Sequence, residues 1–237
     1  MKILLAPAET KKDGGNQTPL QLKEFQIKPI SLYEDYVTSR SQEELSTWFG
    51  LKKLTEVQKY QTTIQDKPTL KAIQRYTGVA YEAIGYEKLT IQAKNYCDKN
   101  ILIFSNLFGV LKADDCIPNY KFKQGQILPT LDTIKYFKEC LKPYLDEILK
   151  DQEILDLRAG FYDKFYKIPY PYITMKFLKD GKVVSHWAKH YRGEIVKIMA
   201  KNNISSLGEL MNFNISNLSL VEIQKQKNKT TIIYNIK

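Results

Sequence analysis

A mixed α/β domain is the fold class this sequence predicts. Three observations support it: short apolar runs bounded by polar residues, amphipathic helical stretches between those runs, and strand pairs crowded toward the end of the chain. Strands and helices alternate through most of the 237 residues, with no internal repeat and no low-complexity linker. The expectation is one compact domain over residues 1–237, with a central mixed sheet, flanking helices, C-terminal hairpins and a basic cleft.

Ile3 to Ala6 reads as a first buried strand, followed by a polar loop over residues 9–19 with Gly14-Gly15. Ser31–Tyr36 and Gln42–Phe49 read as short helices, the second with Ser41 as N-cap ahead of Glu43-Glu44. Gly50 interrupts, and Leu51–Thr62 reads as a further amphipathic helix. Ala72–Tyr76 is expected as a strand, and Gly78 then turns the chain into a helix over Val79–Ile84. Thr90–Cys97 is a helix, and the apolar run Ile101–Phe104 a central strand. Asn106-Leu107-Phe108-Gly109 turns out of it, and residues 112–129 are loop-rich. Thr130–Leu149 reads as a long helix that Pro143 kinks or splits. Ile154–Leu157 is a strand ending at Arg158. Tyr172–Val184 is a hairpin with Asp180-Gly181 at its tip, the strongest short-range hairpin signal. A helix from Ala188 to about Asn202 follows, and the strands Leu218–Gln224 and Thr230–Ile236 close the chain.

Composition narrows the function classes. Hydrophobic residues at 43% and charged residues at 26% describe a globular chain rather than a disordered one. No run of 18 apolar residues exists, which argues against a membrane span, and the apolar run after Met1 is too short for a signal-peptide core. Three widely spaced cysteines with no C-x-x-C pair predict a reduced, cytoplasmic protein. The net charge of +10 is lopsided: residues 164–237 hold thirteen Lys/Arg against four Asp/Glu, whereas residues 1–163 hold twenty-three against twenty-two. Concentrated positive charge attracts polyanions.

The stretch Ser185 to Gly193 follows the predicted hairpin and opens a helix, aiming Lys189 and Arg192 with backbone N–H groups at one spot suited to a phosphate. Polar groups also follow several strands: Glu9-Thr10-Lys11, Tyr76-Thr77-Gly78, Ser105-Asn106 and Arg158. If those strands are parallel neighbours, these groups converge on one cleft. Glu9 and Glu82 are candidate acid–base groups. His186 and His190, four apart, lack a third ligand, and Trp187 stands where the zinc-protease motif needs Glu, so no metal is expected. No nucleophile elbow, P-loop or dinucleotide fingerprint occurs, and no cofactor is expected. The helices around Gly50, over residues 42–62, form a loose helix-hairpin-helix-like element, a module whose backbone contacts DNA phosphates.

Five segments together resemble the YaaA family of peroxide stress proteins. They are Lys2 to Lys11 with Gly14-Gly15; Arg75-Tyr76-Thr77-Gly78 with Tyr81; Leu107 to Leu111; Asp156 to Tyr162; and Ala188-Lys189 with Arg192-Gly193. The better-known branch carries Pro-Ala-Lys-Thr where this chain has Pro7-Ala8-Glu9-Thr10, and a Leu-Ala-Ser-type run where it has Leu157-Arg158-Ala159-Gly160. A second branch, with Ser-Glu-Thr-Lys and Asp-Leu-Arg-Ser-Gly, is the one this sequence is similar to. The resemblance implies a single α/β domain with a positively charged cleft and a helix-hairpin-helix that bind DNA. It also implies a cytoplasmic role in surviving peroxide by limiting free iron and the damage it does.

Two readings follow. In the first, the protein holds DNA or a nucleotide-like anion: Lys11, Arg158, Lys189 and Arg192 contact phosphates, and Tyr76, Thr77, Gly78, Tyr81 and Asn106 line the cleft, with Tyr76 or Tyr81 stacking on bases. In the second, it is an enzyme on a nucleoside, nucleotide or small phosphorylated metabolite, with Glu9 as acid–base and Lys189 and Arg192 clamping the anion. Direct iron binding is disfavoured by the poor supply of histidine and cysteine. No membrane partner is expected, and the oligomeric state is left open.

Overall fold

A computed structural model describes residues 1–16 and 18–237, with the side chain of Ser185 left aside. Its frame is a mixed eight-stranded sheet. The strands are β1 (Lys2–Leu5), β3 (Ile101–Ser105), β4 (Gly109–Lys112), β6 (Ile154–Leu157), β7 (Tyr172–Lys179), β8 (Lys182–Val183), β9 (Leu218–Gln226) and β10 (Lys229–Ile236). The central pairs β3–β1, β1–β6, β6–β7 and β7–β10 are parallel; β3–β4, β7–β8 and β10–β9 are antiparallel. Leu4 sits beside Leu102 and Asp156, and Leu5 beside Ile103 and Leu157, so the carboxyl ends of β1, β3 and β6 open on one edge.

Both faces of the sheet are covered, which is why its central strands read as unbroken apolar runs. On one face, Leu4, Leu102 and Phe104 pack with Phe137, Leu141, Leu145 and Leu149 of α7 (Thr133–Leu149). On the other, Ile3, Leu5, Leu155, Met175 and Phe177 pack with Ile195, Val196 and Met199 of α8 (Ser185–Lys201). Asp180 and Gly181 both take positive φ at the β7–β8 tip, as the Asp-Gly signal requires. A second, two-stranded sheet pairs β2 (Thr69–Lys71) with β5 (Cys116–Pro118).

Several expectations need correction. Ala72–Tyr76 is not a strand: Thr69–Lys71 takes the strand pairing, and Ala72–Arg75 closes one helical turn, α4, with the Ala72 and Ile73 amides donating to Asp115 and Ala113 carbonyls at 2.8 and 3.1 Å. The short helix at Ser31–Tyr36 is the middle of a longer one, α1 (Glu24–Ser39), which accommodates Pro29. Pro143 does not split α7; it lies on the exposed side, where the carbonyl it leaves free meets water. The helix expected over Leu51–Thr62 is only α3 (Leu54–Gln58). Part of the loop-rich 112–129 segment forms β5, and a short helix, α9 (Leu207–Met211), was not expected. The remaining helices are α2 (Gln42–Phe49), α5 (Val79–Ile84) and α6 (Ile91–Asn100). Ser41 caps α2, as its sequence indicated, and the structure adds a capping box with Glu44.

Candidate site at the strand ends

The strand order places β1 between β3 and β6, and the chain leaves β1 first toward β3 and later toward β6. This is the topological switch point at which open α/β sheets place ligands. From the end of β1 the chain runs through Ala6 to Lys11 and is pinned against residues 72–77. Lys12 N–H donates to the Arg75 carbonyl at 2.8 Å and Thr77 N–H to the Thr10 carbonyl at 3.0 Å. Gly78 follows with φ +106°, a conformation L side chains avoid, and caps α5 beside Thr10. Arg75, fully buried, donates to the carbonyls of Ile117, Lys12, Gly14 and Pro68, so it locks the loop and is not available to a ligand.

Three hydroxyls form a chain beneath this loop. Ser105 Oγ accepts from the N–H groups of Leu107 and Phe108 at 3.3 and 3.1 Å and lies 2.9 Å from the Tyr120 hydroxyl, itself 2.6 Å from that of Tyr76. With both Ser105 lone pairs taken, its proton goes to Tyr120. Only one of the two phenol protons then lies between the rings, and the other has no protein acceptor among the described residues. Burial drives the Tyr76 hydroxyl up to about 12 and Tyr120 well above its ordinary value, so both stay protonated.

Lys11 lies over this pair, its Nζ 4.2 Å from the Tyr120 ring centroid and 5.5 Å from that of Tyr76, donating to the Glu9 carbonyl at 3.2 Å. Burial, with repulsion from Lys121, pulls its ammonium from 10.5 down to about 7, against the opposing pull of Glu9. Lys11, Glu9, Asn106, Tyr120 and Tyr162 line a cavity of about 30 Å³. Asn106 is 3% exposed; its amide N–H groups donate to the Lys123 and Gln126 carbonyls at 2.8 and 2.7 Å, which fixes the amide and leaves Oδ1 buried without a donor. A second hollow of about 370 Å³ is lined by Lys12, Tyr76, Thr77, Tyr81, Glu82 and Tyr86.

The structure therefore brings Glu9, Lys11 and Asn106 together and places Tyr76, Thr77 and Tyr81 around the neighbouring hollow. Tyr76 and Tyr81 are buried, and the Tyr81 hydroxyl is tied to the Ala6 carbonyl at 2.8 Å, so neither ring stands out where a strand of bases could stack. Arg158 is separate from both hollows. Its side chain is 2% exposed and gripped by both oxygens of Asp156 at 2.9 Å, by the Tyr162 and Tyr166 carbonyls, and by Asp163 at 3.4 Å. Its donors are all occupied, which leaves none for a phosphate. The spacing Asp156-Leu157-Arg158, two residues along an extended strand, was the signal that could have revealed this pair. Arg192 lies within reach of the Asp156 charge, with Nε buried and unpartnered among the described residues. Lys189 stands exposed at the start of the second turn of α8.

The helix pair over residues 42–62 is present as α2 and α3, but the Gly50 and Leu51 amides donate back to Ser46 and Thr47 carbonyls; Lys52 and Lys53 are the exposed groups of the turn. No group of three His, Cys, Asp or Glu side chains suited to a metal occurs among the described residues. Burial pushes the Cys97 and Cys140 thiols up to about 12 and about 11, so neither is a thiolate at neutral pH. No described helix is long and apolar enough to cross a membrane.

Comparison with known proteins adds a family. The model of the family described as peroxide stress protein YaaA matches residues 1–224. An uncharacterized protein of Campylobacter jejuni is 41% identical over 100% of this chain and 99% of its own length. A UPF0246 protein of Corynebacterium efficiens is 33% identical over 97% of this chain and 98% of its own. One from Lactobacillus helveticus is 27% identical over 90% and 89%.

Proposed function

The chain belongs to the peroxide stress protein YaaA family, and on that premise we propose that it serves the oxidative-stress response by holding DNA, or another phosphate-bearing polyanion, against the basic end of its sheet. The place of action is the cytoplasm, and the benefit is less iron-driven damage to what is held. One observation carries this reading. Of the thirteen Lys and Arg in residues 164–237, Lys197 alone forms an ion pair among the described residues, whereas seven of the twenty-three in residues 1–163 do: Lys12, Lys23, Arg40, Lys59, Lys71, Lys142 and Arg158. Cations without internal partners are free to replace the counterions of a phosphate backbone.

These cations lie along the sheet. Lys225 on β9 stands opposite Thr230, which stands opposite Ile173, and Lys179 is six residues further along β7, a distance of about 20 Å at strand rise. Lys179 sits 5.2 Å from the ring centroid of Trp187, which is 42% exposed beside Lys189 on α8. Trp187 thus takes the stacking role that burial denies Tyr76 and Tyr81. The enzyme reading, with Glu9 as acid–base on a nucleotide, has less support, because the cavity Glu9 lines is too small for a nucleobase.

Labelled single- and double-stranded oligonucleotides titrated with the protein at rising salt test the proposal. Binding at low salt that weakens steadily as salt rises is expected. No binding at low salt, or affinity indifferent to salt, overturns it.

A further inference from the structure

The cavity between Lys11, Asn106 and Tyr162 is not used by a polyanion lying along the sheet, yet its chemistry is incomplete. Asn106 Oδ1 is buried and asks for a donor. Tyr162 lines the same space, is 1% exposed as a residue, and its hydroxyl has no hydrogen-bond partner among the described residues. Burial, with Tyr76 and Glu9 nearby, raises that phenol above its ordinary value, so it is a donor at neutral pH. The cavity thus offers one free acceptor and one free donor beside a primary amine. Its roughly 30 Å³ is room for two or three water-sized groups.

We propose that Lys11 is a nucleophilic amine and that this cavity takes a small uncharged aldehyde, of the two-carbon α-hydroxyaldehyde class, which Lys11 holds as an imine. The carbonyl oxygen accepts from the Tyr162 hydroxyl, which polarises the carbon facing Nζ, and the ligand's own hydroxyl donates to Asn106 Oδ1. The Lys11 lone pair adds to the carbonyl carbon and one amine proton passes to the oxygen. That oxygen then leaves as water with the second amine proton, and a C=N bond remains; no electrons are gained or lost overall. Glu9 also lines the space, and its negative charge, felt at Lys11, disfavours an anionic keto acid.

The amine is suited to this step. An ordinary lysine is almost entirely ammonium at neutral pH and has no lone pair to offer. Lys11 is held at about 7 by burial and by Lys121 and Arg75, with Glu9 opposing, while the Tyr76 and Tyr120 rings pack against it. A substantial fraction of it is therefore neutral where most other lysines are charged; Lys67, lowered to about 8, and the N-terminal amine are the competing amines the peptide map must separate.

The test is reductive trapping of the intact protein with glycolaldehyde and cyanoborohydride near neutral pH, followed by mass analysis and peptide mapping. The expected result is a first adduct at Lys11, formed at least about tenfold faster than the average over the other lysines, with a rate that rises through pH 7 and then levels. Lys11→Arg abolishes the preferred adduct, and Tyr162→Phe slows it severalfold without moving its pH profile. Adducts spread evenly over the lysines, a Lys11 rate that rises only near 10.5, or a rate untouched by Tyr162→Phe would overturn the assignment. DNA affinity is read separately and does not depend on the outcome, since Lys11 lies outside the lysines invoked for it.

Discussion

Asp156 and Arg158 show how one residue pair organises a strand end. Arg158 is enclosed by Asp156, two carbonyls and the ring of Phe104, its Cζ 4.5 Å from that centroid, so its charge is tolerated only because its donors are occupied. Asp156→Asn leaves that buried guanidinium only the more distant, largely exposed carboxylate of Asp163 at 3.4 Å as counter-charge. It is expected to cost about 3–5 kcal/mol in urea unfolding, and a loss below about 1 kcal/mol would show the pair to be incidental. At this scale the sequence was half legible. Lys11, Glu9 and Asn106 were marked by their positions after apolar runs, and they do share a cavity. Arg158 was marked by the same logic, and its partner two residues earlier was overlooked. Tyr120 carried no signal and Tyr162 entered only through the family resemblance, because their meeting with Lys11 depends on loops from three different strands.

Helix α8 lies directly on α5, whose Tyr81 and Glu82 line the larger hollow. Gly193 makes this approach possible: a Cβ there would fall 2.1 Å from the Ala80 carbonyl oxygen. Gly193→Ala must therefore push the two helices apart, and a loss of about 1–3 kcal/mol is expected from overpacking, read as a lower urea midpoint at unchanged slope. No change in midpoint would mean that the helices separate without cost. The elements read correctly from sequence were those whose signals are local: the Ser41 N-cap, the Asp180-Gly181 turn and the apolar strands at the centre of the sheet. Those misread depended on partners elsewhere. Thr69–Lys71 is a strand because β5 lies beside it, and α7 survives Pro143 because that residue faces water.

Across the whole molecule, the mixed α/β class was legible from the alternation of apolar runs and amphipathic stretches, whereas the strand order was not, since nothing local says that β1 lies between β3 and β6. The excess of charge in the last third could be counted from the sequence; that twelve of those thirteen cations form no ion pair among the described residues emerged only from the fold. That absence of pairing is the central physical claim, because it separates a surface built for polyanions from a chain that is merely rich in lysine. The measurement that tests it most directly is the slope of log affinity for duplex DNA against log salt, compared between the natural protein and Lys179→Gln/Lys189→Gln/Lys225→Gln. Each lost phosphate contact should remove about 0.9 from the slope, so the triple variant should lose about 2–3. An unchanged slope, with the variant folded, would contradict the account.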